Sequence, residues 1–248
     1  MKIDLTIVGG SRPELLSRTL GSFNKNMFVN FQIGSVFVNL DPFGGNEEDR
    51  AECIKILNSY FLNPEILCPE ISSFGLAVKN LWSKPKTLVF FHLEDDWELN
   101  IVITPKMIKP MKRKSVAQLA LRYGKYHRFF HEKYHWQKKS IFGFDIFPNF
   151  LRPVFTTSPS FIKSAFANVC SDLMNPQLDP EKQLSNGMVP GLSFFTADYK
   201  CKFLLEKSKI VNITDTGREW RLQKGLVKIE ENGKSMWLPK SITDSTQE

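Results

Sequence analysis

The chain has 248 residues, of which 42% are hydrophobic and 24% charged; this suffices for one large α/β domain or two small ones and excludes a disordered chain. Its 33 Lys and Arg against 26 Asp and Glu give a net charge of +7 and a pI near 9.2, a surplus that favours a polyanionic partner such as nucleic acid or an acidic membrane surface. Cys53, Cys68, Cys170 and Cys201 form no C-x-x-C pair, which argues against a zinc site or disulfide framework and for a reducing cytosol. Met1 enters a strand pattern at once and no apolar run reaches the ~18 residues of a membrane span, so a cytoplasmic protein without signal peptide or transmembrane segment is expected.

Leu5–Val8 is a β-branched run ending in Gly9-Gly10. Ser11-Arg12-Pro13-Glu14 fits a capping box with Ser11 as N-cap, and Leu16, Leu20 and Phe23 follow at helical spacing. A strand, a glycine turn and a helix start aim free backbone N–H groups at a crevice. Neither G-x-G-x-x-G nor a P-loop occurs. Gly34–Leu40 is a second strand, ending at Asp41-Pro42. Asn46 can cap a helix with Cys53, Ile54, Leu57 and Phe61 on one face. Ile66–Cys68 is a third strand, and Ser73-Phe74-Gly75 opens a helix with Leu76, Val78, Leu81 and Trp82. The apolar run Thr87–Leu93 then breaks into Glu94-Asp95-Asp96-Trp97. Three adjacent carboxylates repel one another; a divalent cation holding a diphosphate relieves them, because hard cations prefer oxygen ligands. A solvated acidic turn is the plainer alternative. Alternating strands and helices imply a mainly parallel sheet with right-handed crossovers. Asp41 and the acidic triplet would share its carboxyl edge, where open α/β sheets bind ligands.

Thr104-Pro105 looks like a helix start that Pro110 interrupts, and Val116–Leu121 like another strand. Residues 122–139 interleave bases and aromatics with one acid. Basic side chains neutralise phosphates and aromatics stack on unpaired bases, so nucleic-acid contacts are expected from Arg122, Lys125, Tyr126, Arg128 and Trp136, with Trp97 beside the triplet. A basic surface against an acidic lipid face is the alternative; three of the four histidines fall here without the carboxylate cluster a metal site would add. Phe142–Pro148 and Pro153–Thr157 read as loop and strand. Ser158-Pro159-Ser160 can start a helix with Phe161, Ala165 and Val169 on one face. Asp179 fits an N-cap with Pro180 at the first helical position. Lys202–Leu205 and Ile210–Ile213 are late strands, Thr214–Arg221 follows, and residues 241–248 form a polar tail expected to fray.

The strand–turn–helix start, the aspartate after the second strand, the Ser-Phe-Gly-x-x-x-x-Asn stretch and the acidic triplet after the fourth strand resemble, in this order over residues 4–100, a GT-A glycosyltransferase of the family-2 type. The resemblance implies an α/β, Rossmann-like, mainly parallel sheet flanked by helices. One domain would span 1–240, with a nucleotide-sugar half at about 1–103 and an acceptor-side half at about 104–240. It implies Mn2+ or Mg2+ and a nucleoside-diphosphate sugar, foremost a UDP-sugar. The triplet takes the place of the D-x-D motif, with Glu94 where Asp is usual; Asp96 would bind the metal, and Asp41 the base or ribose. Gly9, Gly10, Arg12, Ser73, Gly75, Lys79, Asn80, Glu94 and Asp95 would lie near the donor. In inverting members an acid near a helix start serves as base, which points to Glu181, with Asp179 second. A late segment supplies Asp215 as a second metal ligand, although His is commoner there, and Arg218 and Arg221 to clamp the diphosphate. Charge and the basic-aromatic stretch extend the expectation to DNA carrying a hydroxymethylated base, as virus-encoded glycosyltransferases modify it, in the host cytoplasm. The alternatives are a cytosolic enzyme for a surface polysaccharide or glycoprotein glycan, and a non-catalytic nucleic-acid-binding protein on the same scaffold.

Overall fold

A computed structural model describes residues 1–121, 134–141, 144–185, 187–204, 211–231 and 233–240. β1 (Lys2–Gly10) is buried from Ile3 onward, as a central parallel strand covered on both faces must be. Gly9 and Gly10 extend the strand, so the turn starts at Ser11. α1 (Pro13–Asn26) then begins with Pro13 in its first turn and no side-chain cap. Ser11 is therefore not the expected N-cap: its hydroxyl donates to the Asp41 carbonyl, 3.3 Å away. β2 (Gln32–Asp41) leads to α2 (Glu47–Tyr60), where the Asn46 side chain and Asp49 close a capping box. β3 (Glu65–Leu67), α3 (Phe74–Trp82) with Ser73 as N-cap, and β4 (Val89–Glu94) complete the expected first half.

The second half departs further from expectation. β5 (Trp97–Leu99) follows the triplet directly, and Thr104-Pro105 starts no helix, only a turn before the 3-10 turn Lys109–Lys112. After β6 (Val116–Ala120) come β7 (Trp136–Ile141) and β8 (Phe144–Pro153), which pair with each other. Residues 154–157, expected as a strand, are irregular. Ser158-Pro159-Ser160 precedes a strand, β9 (Ser160–Lys163), and not a helix; α4 (Ser164–Leu173) begins four residues later than Ser160. Phe161 and Ile162 are both fully buried, as in a strand covered on both faces. The chain ends with α5 (Pro180–Ser185), α6 (Pro190–Thr196), β10 (Lys200–Phe203), β11 (Ile213–Asp215), α7 (Thr216–Gln223) and the hairpin β12 (Leu226–Glu231) and β13 (Lys234–Pro239).

Strands from both halves share one seven-stranded sheet, ordered β10-β6-β9-β4-β1-β2-β3. All neighbours are parallel except β9, which runs antiparallel to β4 and β6. One face packs against Leu16, Leu20 and Phe23 of α1 and Cys53 and Leu57 of α2. The other packs against Val78 and Trp82 of α3, Phe166 and Cys170 of α4, and Leu192 of α6. Helices on both faces leave the carboxyl ends of β1, β2 and β4 as the open edge. Among the described residues no helix is long and apolar enough to cross a membrane.

At the opposite edge Asp4 ties three strands together. Its carboxylate accepts from the backbone N–H of Ser35 (2.9 Å), Lys86 (2.8 Å) and Thr87 (3.0 Å). Burial pushes the carboxyl up, but the three donors outweigh it and hold it below its ordinary value. The stabilisation is therefore present above the unfolded-state value near ~3.9 and is lost as pH falls through the lower folded-state value. Asp4→Asn is expected to cost about 1–3 kcal/mol at neutral pH. Urea melts across the acid range should show that difference closing below about pH 4.

Candidate active site

Register assembles the open edge. Gly10 pairs with Asp41 across β1 and β2, and Val8 pairs with Glu94 across β1 and β4. β11 runs antiparallel to β5 with Asp215 opposite Trp97. The end of a late strand thus reaches the acidic triplet, about 120 residues away by sequence.

The three acids have three different surroundings. Asp95 is buried. Its Oδ2 accepts from Gly10 N–H (3.0 Å) and Arg12 Nε (3.1 Å), while Arg12 Nη2 meets Oδ1 to complete a bidentate pair. The Arg12 guanidinium lies 5.4 Å from the Phe43 ring and 5.2 Å from the Trp220 ring. Burial opposes its charge, yet Asp95 and Asp96 hold its pKa above the ordinary arginine value. Asp96 directs Oδ2 to Arg221 Nη1 at 2.8 Å and Arg12 Nη2 at 3.5 Å. No described residue bonds its Oδ1. Glu94 accepts the Trp97 indole N–H at 2.8 Å on Oε2, and Thr157 Oγ1 lies 3.4 Å from Oε1. Burial first, then Asp96 and Glu181, push the Glu94 carboxyl well above its ordinary value.

The late segment closes over the triplet. Asp215 caps α7, accepting the Arg218 N–H at 2.8 Å, and the Asp96 carbonyl accepts from Thr216 N (2.9 Å) and Gly217 N (3.2 Å). Arg221 bridges Asp96 and Asp215, with Nη2 at 3.3 and 3.4 Å from the two Asp215 oxygens and the Trp237 ring centre 4.6 Å from its guanidinium carbon. Gly217 makes this approach possible: a Cβ there would overlap Asp96 Oδ2 and lie 2.5 Å from Asp96 Cγ and 2.6 Å from Arg221 Nη1.

Glu181 faces the triplet from α5. Asp179 Oδ1 accepts from the N–H groups of Glu181 (3.0 Å) and Lys182 (3.2 Å), a helix cap that orients the first turn. All three donors to the Glu181 carboxylate reach Oε1: Thr156 Oγ1 (2.5 Å), Thr157 N (2.8 Å) and Thr157 Oγ1 (3.2 Å). Among the described residues none reaches Oε2. The threonines are fixed by buried Gln118 on β6, which accepts from Thr156 N at 3.1 Å and donates to its carbonyl at 2.6 Å. One carboxylate oxygen is anchored and the other is presented.

Several expected roles change with this geometry. Trp97 is buried and orients Glu94, so it offers no ring to an acceptor. Lys79 donates to the carbonyls of Ser171 (2.6 Å), Met174 (2.9 Å) and Asp172 (3.4 Å), capping the end of α4 instead of facing the donor edge. Gly75 gives α3 close contact with the 176–178 segment, since a Cβ would lie 2.5 Å from the carbonyls of Pro176 and Leu178. Asp41 lies at the edge, accepting from Asn39 Nδ2 (2.6 Å), Ser72 Oγ (2.9 Å) and Ser73 N (3.2 Å). Asn80 is half-buried and accepts Ser83 Oγ on its carbonyl; the Arg218 side chain is exposed. Gly9 packs against Asp95, where a Cβ would lie 3.3 Å from the Asp95 Cβ. Trp136 lies on β7 with its ring 6.1 Å from Tyr134. Arg122, Lys125, Tyr126 and Arg128 lie outside the described residues, as does the 241–248 tail. Gln118, Thr156, Thr157, Gly217 and Trp237 join the site without having been marked in the sequence.

A divalent cation fits this arrangement as a shared ligand. Among the described residues no three side chains form a complete metal set, but Mg2+-type sites use one or two carboxylates and complete the shell with substrate phosphates. Asp96 and Asp215 can supply the two. Among the described residues Arg12 pairs with Asp95 and Asp96, Arg221 pairs with Asp96 and Asp215, and neighbouring Glu94 and Glu181 have no ion pair, an acid excess that a cation relieves. Arg221 Nε is buried without a partner among the described residues, a donor that a phosphate oxygen could satisfy once the guanidinium leaves the space between the two aspartates.

No protein-family model matches the sequence, and no curated protein matches it. Solved structures do. Residues 1–349 of S. aureus TarS share 15% identity at a TM-score of 0.53, over 89% of this chain and 64% of that one. A second S. aureus TarS structure gives 11% identity and a TM-score of 0.55, over 87% and 37%. The mannosyltransferase PcManGT from Pyrobaculum calidifontis, in complex with GDP-Man and Mn2+, gives 9% identity and 0.53, over 89% and 60%. The chain therefore spans less than two thirds of each of these proteins. At such identities the likeness establishes the fold, a mainly parallel, Rossmann-like sheet of the GT-A type.

Proposed function

We propose that this protein is a metal-dependent glycosyltransferase that moves a sugar from a nucleoside diphosphate to a hydroxyl of a glycan or polysaccharide acceptor. The observation that carries the reading is the pairing, at one sheet edge, of an open Asp96 oxygen beside Asp215 with an open Glu181 oxygen. The first pair suits a cation–diphosphate ligand and the second a proton. The fold it shares with PcManGT, described in complex with GDP-Man and Mn2+, and with a TarS structure described in complex with UDP at a TM-score of 0.52, supports the donor class.

Asp96 and Asp215 would hold Mn2+ or Mg2+, which when bound supplies positive charge to the leaving diphosphate. Arg12, locked by Asp95, stays charged beside that position, and Arg221 is close enough to exchange its aspartates for phosphate oxygens. Asp41 and the start of α3 form the base or ribose end. Glu181 Oε2 takes the proton of the acceptor hydroxyl as that oxygen attacks the anomeric carbon, the sugar–phosphate bond breaks, and the nucleoside diphosphate leaves. Gln118, Thr156 and Thr157 position Glu181. Glu181→Gln is expected to lower kcat for transfer by about 100- to 10,000-fold while leaving donor affinity, read by calorimetry, within a few-fold. Undiminished transfer in that variant would remove Glu181 as the base and favour a retaining reaction.

Two placements favour a carbohydrate acceptor over DNA. The described cations of residues 106–114 lie at the opposite edge of the sheet from the acids, and Trp97 offers no stacking face. Mass analysis of products from oligosaccharide and polyol-polymer acceptors, with hydroxymethylated duplex DNA in parallel, tests this. Sugar on the carbohydrate acceptors alone is expected; sugar on the DNA alone would reinstate the DNA reading.

A further inference from the structure

Residues 100–115 link β5 to β6 and include Lys106, Lys109, Lys112, Arg113 and Lys114 but no acid. Ile103, Ile108, Met111 and Val116 are buried beneath them, and all five cations are exposed. The segment is thus a ridge pinned by its apolar side with its charge outward. Among the described residues none of the five has a carboxylate partner. Together they equal five of the chain's seven excess positive charges.

β6 runs antiparallel to β9, which runs antiparallel to β4, so β6 points the same way as β4 and β1. The ridge precedes β6 and therefore lies at the amino edge of the sheet, opposite the acids. Lys163 Nζ donates to the carbonyls of Arg113 (2.6 Å) and Lys114 (3.1 Å), and Ser164 N donates to the carbonyl of Leu88 (3.3 Å). Leu88 is 91% exposed. On the other side Ile103 N donates to the Asn26 carbonyl (2.8 Å), next to Val29 and Val102, which are 67% and 58% exposed. Unpaired cations are therefore flanked on both sides by large apolar side chains in water.

We infer that this amino edge docks on an anionic lipid surface. Acidic headgroups compensate the ridge, and Leu88, Val29 and Val102 gain the headgroup–acyl boundary. Duplex DNA would compensate the charge as well but would leave those three side chains in water, so the lipid surface satisfies more of what the edge presents. Docked this way, the carboxyl edge with Asp96 and Glu181 faces away from the bilayer, and substrates reach it from solution. The inference does not depend on the proposed reaction.

The test is co-sedimentation of the full chain with vesicles of neutral phosphatidylcholine and with vesicles one third phosphatidylglycerol. Binding to the anionic vesicles alone is expected, with loss at high salt. Combining Lys109→Glu, Lys112→Glu, Arg113→Glu and Lys114→Glu should weaken it by at least about 100-fold. Leu88→Gln should weaken vesicle binding several-fold and leave any duplex DNA binding unchanged. Far-UV circular dichroism and a thermal melt of each variant serve as the folding control. Vesicle binding that survives the four charge reversals, or an edge that binds duplex DNA and ignores anionic vesicles, would overturn the inference.

Discussion

Asp96→Asn is expected to reduce nucleoside diphosphate release by about 1,000-fold while leaving the fold in place. The amide keeps the shape of the side chain, and the backbone carbonyl still accepts from Thr216 and Gly217. What disappears is charge. Among the described residues Asp96 alone bridges Arg12 and Arg221: one of its oxygens meets both, and none bonds the other. An amide cannot replace a carboxylate towards a hard cation. It also leaves Arg12 paired with Asp95 and Arg221 with Asp215, one ion-pair partner each, at a stability cost of about 1–2 kcal/mol. Mn2+ titration of turnover beside urea melts separates these effects. A near-native melt with turnover lost at every Mn2+ concentration is the expected pair. Near-native turnover would show that Asp96 holds no part of the donor.

Gly217→Ala should be nearly as damaging, although glycine has no chemistry to lose. Its added methyl would sit where Asp96 Oδ2 now lies and 2.6 Å from Arg221 Nη1. Neither group can yield without breaking the Asp96–Arg221 pair, and backbone retreat would pull α7 off the Asp96 carbonyl. A displacement on the order of 1 Å at a reacting centre lowers rate by about 100-fold, and the overpacking costs about 1–3 kcal/mol. Kinetics and thermal melts of this variant check both. Gly225→Ala provides the contrast: no atom lies within 4 Å of its added Cβ, and its φ of +63° makes the substitution a backbone effect alone. It should lower stability without the drop in rate.

The first four strands and the acidic edge were legible because each signal there is local. Apolar runs, the Asn46 and Ser73 caps and the break at Glu94 need no knowledge of the rest of the chain. Asp179 and Pro180 announced α5 for the same reason. What stayed hidden depends on pairings distant in sequence. Ser158-Pro159-Ser160 carries the composition of a helix start, yet Phe161 and Ile162 are claimed by β4 and β6, and strand pairing overrides the local preference. Trp97 resembles an acceptor platform beside acids, but its ring is buried in the core and its indole N–H is held by Glu94. Lys79 lies in the Ser-Phe-Gly-x-x-x-x-Asn stretch that the resemblance puts near the donor, but three carbonyls at the end of α4 claim it. Gln118 gave one overlooked signal: a polar side chain amid an otherwise apolar, fully buried strand needs partners, and those partners are Thr156 and Ser160. Gly217 could be found only once Asp96 stood opposite it.

The most direct test is nucleoside diphosphate release by the purified chain from a panel of UDP- and GDP-sugars, with Mn2+ and again with the metal chelated. The site described here predicts release from one donor class, abolished by chelation and by Asp96→Asn alike. Release that persists undiminished with the metal removed, or no release and no donor binding from any nucleotide sugar, would contradict it.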